Sequence, residues 1–234
     1  TAQRLIEAIR ARANHPISIM EFCGGHTHAI MRYGLREALA PNVRMLSGPG
    51  CPVCVTSSAD IDQAIDLSLR PNVTVVTFGD MIRVAGSRTS LQGARAGGGD
   101  VRVVYSALDA LQIARQEPER EIVLLGVGFE TTAPTIAAAI EQARVEGLHN
   151  LAVYSMHKLT GPAMRAILDA GQVAVDAVLG PGHVAAITGW KAWAFLPEVY
   201  GVSCAVAGFE PADILQAVLA CVDDASVGFP RVTN

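Results

Sequence analysis

Aromatic side chains are scarce in this chain: they make up 5% of its 234 residues, although half of all residues are hydrophobic. A core with few rings has to be filled by Ala, Val, Leu and Ile, a mix that suits parallel strands covered by helices on both faces. Charge is scarce too, at 17%, and 18 basic against 22 acidic side chains leave a net −4. That balance provides no basic footprint for nucleic acid. No apolar run reaches the roughly 18 residues that a membrane-spanning helix needs. Thr1-Ala2-Gln3-Arg4 opens an amphipathic helix and not a secretory signal, and a first residue other than Met points to a processed or shortened chain. Five cysteines, an odd number, do not make the even framework of a secreted disulfide scaffold. Together these absences point to a cytoplasmic protein with working thiols, bound to neither membrane nor nucleic acid.

What the chain does have is concentrated in a few short stretches. Ser47-Gly48-Pro49-Gly50-Cys51-Pro52-Val53-Cys54 packs two thiols, two glycines and two prolines directly behind an apolar run. Such a C-x-x-C pair can exchange two electrons as dithiol and disulfide, or its thiolates can hold a soft metal. The bland alternative is a pair of buried, inert thiols. A zinc knuckle would need a second C-x-x-C, which is missing. Helix-forming sequence resumes only near Ser57, so the pair stands ahead of a helix and is a poor match to a thioredoxin-type site.

Glu21-Phe22-Cys23-Gly24-Gly25-His26-Thr27-His28 is the second such stretch. A thiolate with an imidazole three residues later can bind one face of a metal. The plain alternative is a strand-end cysteine and a helix-capping histidine. Gly126 to Pro134 is glycine-rich but fits neither G-x-G-x-x-G nor a lysine-bearing phosphate loop. Its Glu130, Thr131 and Thr132 either face a cleft as acid/base and hydrogen-bonding groups or simply start a helix. His157 and His183 each follow a strand. Cys204 and Cys221 read as core, His15 and His149 as surface.

Periodicity alternates throughout. Strands are expected at 17–22, 43–46, 73–78, 101–105, 121–128, 151–156, 175–179 and 203–207. Helices are expected at 4–13, 28–39, 58–69, 108–116, 132–146, 162–170, 183–191 and 211–222, with a Gly- and Arg-rich surface loop at 88–99. The alternation predicts an α/β fold of right-handed parallel units. Two similar parallel-sheet domains with flanking helices, 1–117 and 118–234, are expected around a central cleft, with the boundary at Pro118. Cys23, Cys51, Asp80, Glu130, His157, His183 and Glu210 all fall just after strands, where open α/β sheets bind ligands.

Taken in order, these stretches resemble the HypD family of NiFe hydrogenase maturation factors. Cys23 to His28, Gly48 to Cys54, Gly128 to Pro134, Gly180 to Val184 and Ala207 to Pro211 match its signatures, as do Gly79 to Val84 and His157-Lys158. The resemblance implies a scaffold, with possible redox activity, on which iron receives cyanide and CO to become an Fe(CN)2CO unit. It also implies a HypC-type chaperone that shares the iron through its N-terminal cysteine, a HypE-type cyanide donor, and delivery to the hydrogenase large subunit. By the same resemblance Cys23 is an iron ligand with His26 beside it. Cys51 and Cys54 are redox-active or additional iron-binding thiols, and Glu130 belongs to the cleft. A 4Fe–4S cluster is implied for the family, but the sequence reaches Asn234 without its cysteine motif, as expected of a shortened form. Ser47 stands where relatives often carry His. The competing reading is a thiol–disulfide oxidoreductase acting through Cys51 and Cys54. A nucleotide-using α/β enzyme is a weaker third, because the phosphate fingerprint is missing.

Overall fold

The computed structural model describes residues 2–234, and along them strands and helices alternate as the periodicity predicts. Helix α1 (Ala2–Arg12) leads into strand β1 (Ile17–Glu21), helices α2 (Gly24–Arg32) and α3 (Leu35–Leu39), and strand β2 (Val43–Ser47). Then come α4 (Ser58–Ser68), β3 (Val73–Phe78), α5 (Leu91–Ala96), β4 (Val101–Val104) and α6 (Ala107–Gln116). They are followed by β5 (Glu121–Gly126), α7 (Ala133–Glu146), β6 (Leu151–Ser155), α8 (Thr160–Ala170), β7 (Ala177–Pro181) and α9 (Gly182–Thr188). A 3₁₀ turn (Trp190–Trp193) and a π-turn (Leu196–Tyr200) precede β8 (Ser203–Ala207), α10 (Pro211–Val227) and the short β9 (Val232–Thr233).

Every pairing within the two sheets is parallel. One sheet has the order β2-β1-β7-β8-β9 and the other β4-β3-β5-β6. The strands alternate their side chains between two apolar layers, as a parallel sheet covered on both faces requires. In the first sheet Ile17, Ile19, Ala177, Leu179, Ala205 and Ala207 join one layer. Met20, Val178 and Cys204 join the opposite one, with Trp193 and Leu196. In the second sheet Val75, Val123 and Leu125 face one way and Val76, Ile122 and Leu124 the other.

The chain divides into two compact units, but not at Pro118. One unit is Thr1–Cys51 with Leu159–Asn234 and contains the first sheet; the other is Pro52–Lys158 and contains the second. The expected boundary falls inside the second unit, where β3 and β5 pair in register across it. The charged run around Pro118 is not a linker. Arg120 donates to Asp100 at 2.8 Å and to Thr74 at 2.9 Å, and Arg102 bridges Asp100 and Glu117. Asn150 donates to the carbonyls of Ala114, Glu117 and Arg120. These bonds tie the α6–β5 turn to the starts of β3, β4 and β6.

Local differences have local causes. The segment 88–99 is not all loop: Ser90 accepts from the Gly93 amide and caps α5, whose Leu91 is fully buried. The helix expected over 28–39 starts earlier, at Gly24, and is broken at Gly34, which lies in the left-handed region. No helix among the described residues is long and apolar enough to cross a membrane.

Cys204 and Cys221 are core residues as expected, both fully buried, and the Cys221 thiol donates to the Val178 carbonyl. Burial pushes the Cys204 thiol from its ordinary 9.0 up to about 12 and raises Cys221 as well. A group whose pKa is raised by folding stabilises the fold below its unfolded pKa and loses that contribution as pH climbs toward the folded value. Denaturation at increasing pH is therefore expected to show stability falling above about 9, with Cys204→Ala flattening the fall. Ile19→Ala, at a fully buried site in β1, is expected to cost about 2–5 kcal/mol in the same assay. The exposed Val145→Ala should stay within about 0.5 kcal/mol of the parent.

Candidate functional site

Because all strands of the first sheet are parallel, their carboxyl ends share one edge. Cys23 follows β1, Gly48 to Cys51 follow β2, His183 follows β7, and Gly208 to Glu210 follow β8. From β1 the chain passes to β2 on one flank, and from β7 to β8 on the other. The connections after the adjacent strands β1 and β7 therefore diverge, which opens the crevice where such sheets bind ligands. Cys23 and His183 flank it, with Nε2 of His183 3.9 Å from Sγ of Cys23.

Cys23 is the N-cap of α2. Its backbone is extended and its Sγ accepts the Gly25 amide at 3.3 Å, so the thiol is held at the positive end of a helix. Its own amide donates to Glu21 at 2.9 Å, and the Glu21 carboxylate also accepts from the Thr27 hydroxyl. Both Glu21 and Cys23 are buried. Burial pushes the Cys23 thiol up, and the Glu21 charge adds to this, while the Gly25 and His26 amides oppose it. The protonated thiol is therefore the resting form, and an incoming metal ion would have to displace its proton.

The two cysteine-bearing loops do meet. The Gly24 amide donates to the Gly50 carbonyl at 3.4 Å. A Cβ on Gly50 would stand 2.4 Å from the Gly24 nitrogen and 2.6–2.7 Å from Cys23 backbone atoms. Only glycine permits that approach, and it brings the backbone next to Cys51 against that of Cys23.

His26 faces elsewhere. Its ring is fully buried and Nε2 lies 2.9 Å from the Gly208 carbonyl, which can only accept, so Nε2 carries the proton. Burial lowers its pKa, which keeps the ring neutral and leaves Nδ1 as an unpartnered acceptor. His26 and His183 both pack on Phe209, at ring-centroid distances of 4.9 and 5.1 Å.

Of the remaining expected residues, Cys54, Asp80, Glu130 and His157 belong to the second unit. Cys54 is exposed, whereas Cys51, the last residue of the first unit's leading segment, is partly buried. Glu130 is half-buried in the β5–α7 turn. The carboxyl ends of β3 and β5, again neighbours whose connections diverge, border a cavity of about 430 Å³. Its walls include Val53, Phe78, Asp80, Tyr105, Val127 and Thr132. His157 shares a hydrogen bond with Ser155 at 3.0 Å, and burial lowers its pKa.

Among the described residues no group of three or more His, Cys, Asp or Glu side chains is placed to hold a metal ion. Cys23 and His183 offer one thiolate and one imidazole, donors that suit iron. Glu21 and Phe209 were not singled out by sequence reasoning. The signals existed: an acidic residue ending an apolar strand, and an aromatic at a strand-to-helix turn in a chain with few aromatics.

A profile of the HypD family, described as the hydrogenase formation hypA family, matches residues 1–234. The chain is 48% identical over 231 residues to the hydrogenase maturation factor HypD of Rhodobacter capsulatus, covering 99% of this chain and 61% of that protein. It is 47% identical over 242 residues to that of Azotobacter vinelandii, covering 100% and 64%. With that of Escherichia coli strain K12 it shares 42% over 238 residues, covering 99% and 64%. The chain thus spans 61–64% of the length of these three relatives.

The close approach at Gly50 makes a prediction. Gly50→Ala should force the two loops apart and cost about 1–3 kcal/mol. Gly24→Ala, whose Cβ would meet only the Gly50 oxygen at an ordinary 3.7 Å, should cost less. Urea denaturation of both variants checks the order, and equal costs would remove the steric argument.

Proposed function

The chain belongs to the HypD family, and on that premise we propose that it acts in hydrogenase maturation as the scaffold on which iron acquires cyanide and CO. The observation that carries this reading is the position of Cys23, at the carboxyl end of β1 beside His183. Iron is the cargo. Cys23 supplies one thiolate ligand, and a HypC-type partner supplies another through its N-terminal cysteine. As iron binds, the Cys23 proton leaves, with His183 3.9 Å away to receive it. Burial of Cys23 and Glu21 limits water around a complex whose small ligands must not exchange. His26, held by Gly208, orders the surrounding loops.

The Cys51/Cys54 pair serves as the electron store in this reading, or as additional iron ligands. Oxidation of the dithiol to a disulfide releases two electrons and two protons, and the exposure of Cys54 leaves it open to a redox partner. Glu130 serves its own turn as an acid/base group. Cyanide comes from a HypE-type donor, the finished Fe(CN)2CO unit passes to the hydrogenase large subunit, and the work is cytoplasmic. The family's 4Fe–4S cluster has no ligand set in these residues, since Cys204 and Cys221 lie in the core.

The test is anaerobic co-purification with the HypC-type partner from cells supplying the other maturation factors, with iron assay and infrared spectroscopy. Cyanide and CO stretching bands are expected, and Cys23→Ala should abolish them. Bands that survive Cys23→Ala would remove Cys23 as ligand. The absence of both iron and bands, with a Cys51/Cys54 dithiol that still cycles, would favour the thiol–disulfide oxidoreductase instead.

A further inference from the structure

We propose that Phe209 is the size-selecting wall of the Cys23 site, admitting small ligands while refusing bulky molecules. The ring has a built seat. A Cβ on Gly25 would lie 2.8 Å from Cε1 of Phe209 and 3.5 Å from Sγ of Cys23. Ring and sulfur therefore flank the same point, and the missing methyl of Gly25 is what lets the ring in. Two imidazoles hold it from the sides: His26 at 4.9 Å with an interplanar angle of 46°, and His183 at 5.1 Å and 52°.

The backbone that carries the ring is tied down as well. Nε2 of His26 donates to the carbonyl of Gly208, the residue before Phe209, at 2.9 Å. This gives the fully buried His26 a purpose its position beside Cys23 does not otherwise explain: it positions Phe209. The ring itself remains 38% exposed while Cys23 is only 8% exposed. An aromatic left that open has little to contribute to the core, and its inner edge meets the helix turn that presents the thiol. A wall of this kind separates ligands by size because a rigid ring cannot be compressed to admit a few extra atoms.

The inference rests on Cys23 being the working thiol but needs no iron for its test. Alkylation of Cys23 by iodoacetamide and by a bulky fluorescein maleimide would be followed by peptide mass mapping, with exposed Cys54 as internal reference. In the parent protein the bulky reagent should be strongly disfavoured at Cys23. Phe209→Ala should raise its rate relative to the small reagent about tenfold or more, and Phe209→Leu should restore part of the discrimination. Gly25→Ala, which retains the ring but fills its seat, should act in the same direction as Phe209→Ala. Thermal unfolding confirms that each variant is folded. A reagent ratio that stays within about twofold of the parent in both Phe209→Ala and Gly25→Ala overturns the proposal. So does a Cys23 inert to both reagents throughout. Failure of iron retention in the separate co-purification would overturn the scaffold reading and leave the size selection standing.

Discussion

Strand β1 takes hydrogen bonds from β2 along one edge and from β7 along the other. Its last residue, Glu21, stands level with Ser47 on one neighbour and Leu179 on the other. That register delivers Cys23, the Gly48–Cys51 loop and His183 to a common edge. It is set by apolar alternation, since Ile17 and Ile19 enter one layer and Met20 the opposite one. A slip of one residue would turn each of them to the wrong face, and it would carry Cys23 away with them. The burial of a few aliphatic side chains is thus what aims the thiol.

The same burial sets the thiol's chemistry. A carboxylate as buried as Glu21 is costly unless its hydrogen bonds are met, and here the Cys23 amide and Thr27 hydroxyl meet them. Burial of the thiol, with the Glu21 charge adding to it, disfavours a thiolate, so Cys23 rests protonated despite its place at a helix start. A cation binding there would have to displace the proton that burial retains. Cys54, exposed in the other unit, carries no comparable burial cost. The residue is the same, but burial separates the two thiols.

Most of the strands and the positions of the candidate residues behind them were legible because parallel sheets write uninterrupted apolar runs. Ser57 ahead of α4, with the cysteine pair outside the helix, was readable from its cap. The unit boundary was not. Glu117 and Arg120 look like a solvated linker in sequence, and only their partners Asp100, Thr74, Arg102 and Asn150, distant along the chain, reveal a tied turn. The first unit is also discontinuous, joining Thr1–Cys51 to Leu159–Asn234, and no local pattern announces that β1 pairs with β7. At the site, Cys23 was readable as a strand-end thiol but not as the cap of α2, since Gly24 and Gly25 are poor helix formers taken alone. The metal-binding and redox roles of Cys23, Cys51 and Cys54 rest on residue chemistry and on resemblance, and remain with the proposal.

Those two glycines explain why a weak helix start is tolerated. Propensity at the first turn of α2 is sacrificed twice, at about 1 kcal/mol per glycine relative to alanine. Gly24 offers its amide to the Gly50 carbonyl, and Gly25 leaves room for Phe209. On the facing loop Gly50 removes the Cβ that would strike Cys23. At Gly25 and Gly50 the omission admits a ring or a backbone that a methyl would exclude, and both positions lie beside Cys23. Helix stability alone would favour alanine at Gly24 and Gly25. Gly25 and Gly50 are therefore better accounted for by the close approach of Phe209 and of the Cys23 backbone than by helix propensity.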